Sequence, residues 1–250
     1  MQSLYLIFLM NFFGYRDSVK LHMNLKGYAM FATRYDLHIH SSYSDGRDTV
    51  NDIAHEANSV QLDTIAITDH FWPSLGSQHG GKKIIENRRF EINNARSEYP
   101  GLTILDGAEV DIQSNGDLAP VAGGLEQFDI VIGSFHWICD SRTWVVAILK
   151  ALQRPQFHIL GHWDGYLSSY HSEDGGKAVK AISESGIAIE LNGRYMPEHI
   201  EFLELARDHG CVFTLGSDSH SVDTIGQLDY QRKLAADLEL RLAEPEDLIS

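Results

Sequence analysis

Seven short apolar runs, separated by longer polar or amphipathic stretches, constrain this chain more than any other feature. The runs are Tyr35–His40, Thr64–Thr68, Leu102–Val110, Phe128–Phe135, Phe157–Leu160, Ile187–Leu191 and Val212–Gly216. Each is rich in β-branched, leucine or aromatic residues and is bounded by turn residues, the pattern of a buried strand. Helical spacing fills Thr49–Val60, Lys82–Tyr99, Ala178–Ser185 and Pro197–His209. Asp48 is expected to cap the first of these helices, and Gly210 to end the last. Strands alternating with helices predict an α/β fold with a mostly parallel sheet, either doubly wound or closed into a barrel.

No repeat, low-complexity tract or linker interrupts residues 34–250, which read as a single domain. Residues 1–33 read as an amino-terminal extension peripheral to function. Leu4 to Met10 are all apolar and the run resumes at Phe12 and Phe13. That is well short of the roughly 20 residues a bilayer-spanning helix needs. No Lys or Arg precedes the run, so a signal peptide fits poorly. Met23 and Met30, just upstream of the first strand, are alternative starts. No membrane partner is expected.

The 35 acidic residues exceed the 20 basic ones, a formal net charge of −15. Such a surface repels a phosphate backbone and argues against broad nucleic-acid binding. Cys139 and Cys211 are the two cysteines. They form no disulfide framework or Cys-rich zinc site, which fits a reducing cytoplasm.

Thirteen histidines are unusual for such a chain, and their placement is ordered. The first strand ends in His38 and His40, the second in Asp69 and His70, and the third carries Glu109. His136 follows the fourth strand and His162 the fifth. Glu190 and Asn192 belong to the sixth, and Asp218 and His220 follow the seventh. In an α/β barrel those ends share one face, where active sites form. His38 and His40 lie two apart and so point to one side of a strand. Imidazoles with carboxylates and no thiolate suit zinc, manganese or iron at an open catalytic site. The set exceeds what one ion needs, which predicts two or three ions sharing a carboxylate and acting on a phosphoryl group. His22, His55, His79, His171, His199 and His209 read as solvated, and His158 as core.

These residues carry a family pattern. Asp-Leu-His38-Ile-His40-Ser-Ser-Tyr-Ser-Asp45-Gly, Ile-Thr-Asp69-His70, Gly-Ala-Glu109-Val-Asp-Ile, Gly-Ser-Phe-His136, Gly-His162 and Gly-Ser-Asp218-Ser-His220 resemble the polymerase and histidinol phosphatase (PHP) superfamily. The likeness is closest to its stand-alone phosphatases and to the PHP domains of family X DNA polymerases. It implies a distorted (βα)7 TIM-like barrel holding two or three divalent ions: zinc, manganese or iron, with magnesium also allowed. It further implies that His38, His40, Glu109 and Asp218 hold one ion. Glu109 would bridge to a second, bound by His136 and His162, and Asp45, His70 and His220 would hold a third. Some members have histidine where this chain has Asp45. Trp163 stands where proline is usual and is expected on the pocket rim.

The function expected from this likeness is hydrolysis of a small phosphomonoester by a metal-activated hydroxide. His220 or Asp45 would assist proton transfer, and Arg194 would clamp the phosphate through its guanidinium. Lys82, Lys83 and Arg88 follow a Gly-rich loop readable as a lid, and could draw in an anion or form a solvated helix face. One alternative is DNA 3′-end processing, the only nucleic-acid role retained. A metal-stabilised scaffold and a C–N hydrolase of the amidohydrolase type are the other rivals. The latter usually carries a bridging lysine where this chain has Glu109 or His136. The oligomeric state is not legible.

Overall fold

A computed structural model describes residues 34–71 and 81–249, together with the backbone of two short strands before them. The chain divides into two compact units, Met1–Thr33 and Arg34–Ser250. In the first, β1 (His22–Met23) pairs antiparallel with β2 (Ala29–Met30). The expected apolar run at Leu4–Met10 lies outside the described residues, as do Trp72, His79 and the glycine-rich stretch up to residue 80.

The second unit contains seven parallel strands in sequence order. They are β3 (Tyr35–Ile39), β4 (Thr64–Ile67), β5 (Thr103–Asp111), β6 (Ile130–Ser134), β7 (Ile159–Leu160), β8 (Ala188–Asn192) and β9 (Phe213–Gly216). The first and last strands meet just beyond β9, where Ile39 and Ser219 form a parallel bridge and the His40 amide donates to the Ser219 carbonyl at 2.8 Å. The barrel is thereby nearly closed. Every residue of β3, β4, β6, β7, β8 and β9 is buried, as expected for strands covered on both faces. This explains why those runs are almost continuously apolar.

The helices are α1 (Val50–Ser59), α2 (Lys82–Glu98), α3 (Ser141–Ala151), α4 (Ser172–Ser185), α5 (Ile200–Asp208), α6 (Asp229–Asp237) and α7 (Pro245–Leu248). In α1, buried Val50, Ile53, Ala54 and Ala57 recur at helical spacing and pack with Ile39, Ile65 and Ile67 of the neighbouring strands. Its cap differs from the sequence expectation. Thr49, not Asp48, accepts from the Asp52 amide, and Asp52 answers by accepting from the Thr49 amide. The Asp48 carboxylate instead accepts from the Val222 amide at 2.8 Å, tying the loop after β3 to the segment after β9. Gly210 follows α5 with φ of +76°, the left-handed turn that favours glycine.

Candidate metal centre

The carboxyl ends of the strands bring nine side chains from across the chain to one place. Glu109 is the hub. Its Oε2 lies 3.1 Å from His38 Nε2, 3.3 Å from His40 Nε2 and 3.4 Å from His70 Nε2. Its Oε1 lies 2.9 Å from His162 Nε2 and 3.3 Å from His136 Nε2. The two oxygens of one carboxylate therefore serve two different sets of imidazoles. The β5 backbone makes this geometry: Glu109 pairs in register with Ile132 on one side and forms a bridge with His70 on the other.

The remaining members extend the cluster. His40 Nε2 is 3.5 Å from Asp218 Oδ1, and its Nδ1 is 3.5 Å from Asp45 Oδ1. His220 Nε2 approaches Asp45 Oδ2 at 3.0 Å. His70 stands between the groups, since its Nε2 is also 3.9 Å from Asp45 Oδ2. Three trios bring one donor atom from each member within 4.8 Å of one another: His38, His40 and Glu109; His40, Asp45 and His220; His70, Glu109 and His136. This grouping sets His70 beside Glu109 and His136, whereas the family likeness pairs it with Asp45 and His220.

The backbone is bent to this purpose. His162 and Asp218 both adopt positive φ, +22° and +56°, a region costly for residues with a Cβ. Gly46 is required next to Asp45, because a Cβ there would sit 2.2 Å from the His40 carbonyl oxygen. The loop carrying Asp45 is held by Asp69, which accepts from the Ser41 amide and from the hydroxyls of Ser41 and Ser44.

The electrostatics are those of buried carboxylates matched to imidazoles. Burial alone would raise Glu109, yet His38, His136 and His70 hold it well below the usual carboxylate range. Burial would lower His40, but Asp218 and Glu109 bring it up to about 9. The same contest, won by Glu109 and Asp111, takes His136 up to about 10. His70 goes the other way, down to about 4, because burial and its cationic neighbours outweigh Glu109.

The donor set fits divalent cations. Nε2 of His38 and both ring nitrogens of His40 are buried and make no well-aligned hydrogen bond, although Glu109 Oε2 stands 3.1 Å from the first Nε2 and 3.3 Å from the second. Buried imidazole nitrogens aimed at a shared space with carboxylates are the arrangement cations satisfy. Outer groups orient several ligands. His38 Nδ1 is 2.7 Å from Glu190 Oε1, and His136 Nδ1 is 2.7 Å from Asp111 Oδ1.

Some expectations need correction. Trp163 is no rim residue: it is 1% exposed and stacks on Phe202 at 3.9 Å, inside the layer of helices. Arg88 is fully buried and binds Asp69, Asp106 and two carbonyls, so it is neither an anion lure nor part of a solvated face. Lys82 and Lys83 are exposed. Sequence reasoning assigns no role to Tyr166 and Tyr195, whose hydroxyls lie 3.1 Å apart and whose rings flank His162. Arg194 does reach the centre, with Nη1 2.7 Å from His220 Nδ1.

Fold and side chains together define a barrel of the metal-dependent hydrolase class. Residues 36–194 match the PHP domain family, and the chain belongs to it. Asp218 and His220 lie beyond the matched segment. A protein named probable phosphatase from Thermoanaerobacter sp. is 29% identical over 218 residues, covering 80% of this chain and 84% of that protein. The DNA polymerase/3′-5′ exonuclease PolX of Bacillus subtilis is 25% identical over 200 residues. That match covers 77% of this chain, which spans only 35% of the polymerase. Among solved structures, the histidinol phosphate phosphatase of Lactococcus lactis, complexed with zinc, L-histidinol and phosphate, has a TM-score of 0.66 at 21% identity. It covers 85% of this chain and 96% of its own, a likeness of fold.

Proposed function

We propose that this protein is a metal-dependent phosphatase that hydrolyses a small phosphomonoester. One observation carries the reading: Glu109 turns one oxygen to His38, His40 and His70 and the other to His136 and His162. A carboxylate so shared suits a bridge between two cations. His38, His40, Glu109 and Asp218 would hold the first ion, and Glu109, His136 and His162 the second. Asp45, His70 and His220 would hold a third, with His70 able to serve either neighbour. Such ions supply Lewis acidity, activating water and neutralising charge on phosphoryl oxygens. Zinc, manganese and iron all suit this donor set.

The chain's own residues do the rest. Arg194 binds phosphoryl oxygens in the planar two-point manner of a guanidinium. His220 and Asp45, 3.0 Å apart, form a proton-transfer pair at the leaving oxygen. Glu190 and Asp111 hold two imidazoles in orientation. Among the described residues no helix is long and apolar enough to cross a membrane. Cys139 and Cys211 are buried free thiols, which supports a reducing, cytoplasmic setting.

The experiment is reconstitution of metal-stripped protein with zinc, manganese or iron, followed by turnover of a phosphomonoester panel and of a single-stranded oligonucleotide. Monoester hydrolysis that requires metal supports the reading. Activity confined to the oligonucleotide would instead favour DNA 3′-end processing, the activity suggested by the polymerase relative. Full metal loading without hydrolysis of either would leave a scaffold.

A further inference from the structure

We propose that Arg47 recognises a second acidic group on the substrate, a carboxylate or phosphate separate from the phosphoryl group that is cleaved. The inference rests on the phosphatase reading and names the substrate class within it.

A cavity of about 350 Å³ opens beside the metal centre, lined by Arg47, Arg194, Asp218, His220, Thr224 and Gln227 among others. Two larger hollows, of about 700 and 880 Å³, are lined by other segments and by none of the nine clustered side chains. The smaller cavity has the size of a site for a ligand of a few carbons. Two arginines from distant parts of the chain enter it. Arg47 follows the Asp45–Gly46 turn, and its amide donates to the His220 carbonyl at 2.9 Å, fixing the β3 loop against the β9 loop. Arg194 follows β8 and meets His220 through its side chain.

These two guanidinium groups differ from several others in the chain. Arg34, Arg88, Arg89, Arg96 and Arg207 each sit against an aspartate. Neither Arg47 nor Arg194 has a carboxylate partner among the described residues. In a chain of net charge −15, unpaired arginines on a cavity wall are a local reversal of the prevailing field. The one carboxylate in the lining, Asp218, is engaged with His40 at 3.5 Å and belongs to the metal centre. Arg194 touches His220 and so serves the reacting phosphoryl group. Arg47 is then left for an acidic group further along the same molecule. A simple monoester would leave it facing water.

Three matched esters test this on metal-loaded protein: 3-hydroxypropyl phosphate, 3-(phosphonooxy)propanoate and propane-1,3-diyl bisphosphate. The scissile ester is the same in all, and only the far end changes. Wild-type protein should favour an acidic ester over the neutral one in kcat/KM by about tenfold or more, mostly through KM. Which acidic ester wins tells carboxylate from phosphate. Arg47→Gln should bring the ratio to within about threefold, and Arg47→Lys should restore part of it, since charge survives without the planar fork. Competitive inhibition by 3-hydroxypropanoate, against propane-1,3-diol, should weaken in parallel. A wild-type protein that hydrolyses all three equally, or an Arg47→Gln variant that keeps the preference, overturns the proposal and leaves the phosphatase reading intact. Failure to hydrolyse any of them overturns both.

Discussion

His38 Nδ1 lies 2.7 Å from Glu190 Oε1, so one buried carboxylate orients the imidazole whose opposite nitrogen faces Glu109. Glu190 is fully committed, for its Oε2 accepts from the His162 amide at 2.8 Å and from Asn192 Nδ2 at 2.9 Å. Through that carboxylate, β8 fixes the ends of both β3 and β7. Glu190→Gln should replace one acceptor with a donor and weaken metal binding by about 10- to 100-fold, with little change in KM. Metal titration followed by calorimetry reads this directly. Unchanged affinity would show that His38 needs no such partner.

Glu109 should be the most sensitive position in the centre. Loss of a carboxylate facing five imidazoles disturbs every pairing at once, while loss of one imidazole disturbs one. Glu109→Ala should therefore abolish more activity than any single histidine change and lower bound metal by more than one equivalent. The comparison is turnover together with metal content by elemental analysis for Glu109→Ala and His136→Ala. An equal or larger loss in His136→Ala contradicts the bridging role.

The barrel and the convergence at its carboxyl end are legible in the sequence because both depend on strand periodicity and on the residues just past each strand. Seven apolar runs correspond to seven strands, and the side chains at their ends share one face. Each departure has its own local cause. Trp163 is adjacent in sequence to His162, but both lie in the turn after β7, where His162 takes a positive φ and the chain sends the two side chains apart. The histidine points to the centre, where it meets Glu109, and the indole to Phe202. Arg88 falls on a helix whose other buried positions are Ile85, Ile92 and Ala95, so its spacing is that of the core face. Its charge alone suggests a surface position. Tyr166 and Tyr195 reach His162 from loops after β7 and β8, and loop paths leave no periodic trace. The cap at Thr49 is readable from its Asp52 partner three residues on, whereas Asp48 competes as the stronger single-residue signal.

Arg88 is expected to dominate stability. Its Nη1 reaches Asp69 at 3.1 Å and the Ile67 carbonyl at 3.0 Å. Its Nη2 binds Asp106 and the Gly107 carbonyl, and its guanidinium lies 4.6 Å from the Phe71 ring. Arg88→Met would leave buried Asp69 without its guanidinium partner and Asp106 with Arg89 alone, at a cost of about 3–5 kcal/mol. Because Asp69 also positions the Ser41 and Ser44 hydroxyls, part of the damage should appear as a loosened Asp45 loop. Denaturant unfolding measures the first effect and metal affinity the second. A variant within about 1 kcal/mol of wild type would remove Arg88 from the stabilising core.

At the opposite, amino end of the strands, His158 should make stability depend on pH. Its Nδ1 accepts from the Val131 amide at 2.9 Å, which requires the neutral ring, and burial holds the imidazole below its ordinary value. Between that depressed value and about 6.5, the unfolded chain takes up a proton that the folded chain refuses. The contribution is thus present in full above the unfolded value and is lost as pH falls through the folded one. His158→Asn retains an acceptor for Val131 but cannot titrate. Urea unfolding from pH 8 to pH 5, at one fixed metal concentration, should give a gentler acid-side decline for the variant than for wild type. The difference between the two proteins isolates His158, because the histidines around Glu109 titrate in both. Parallel curves would mean that the ring is protonated at no cost and that the Val131 bond does not select its neutral form.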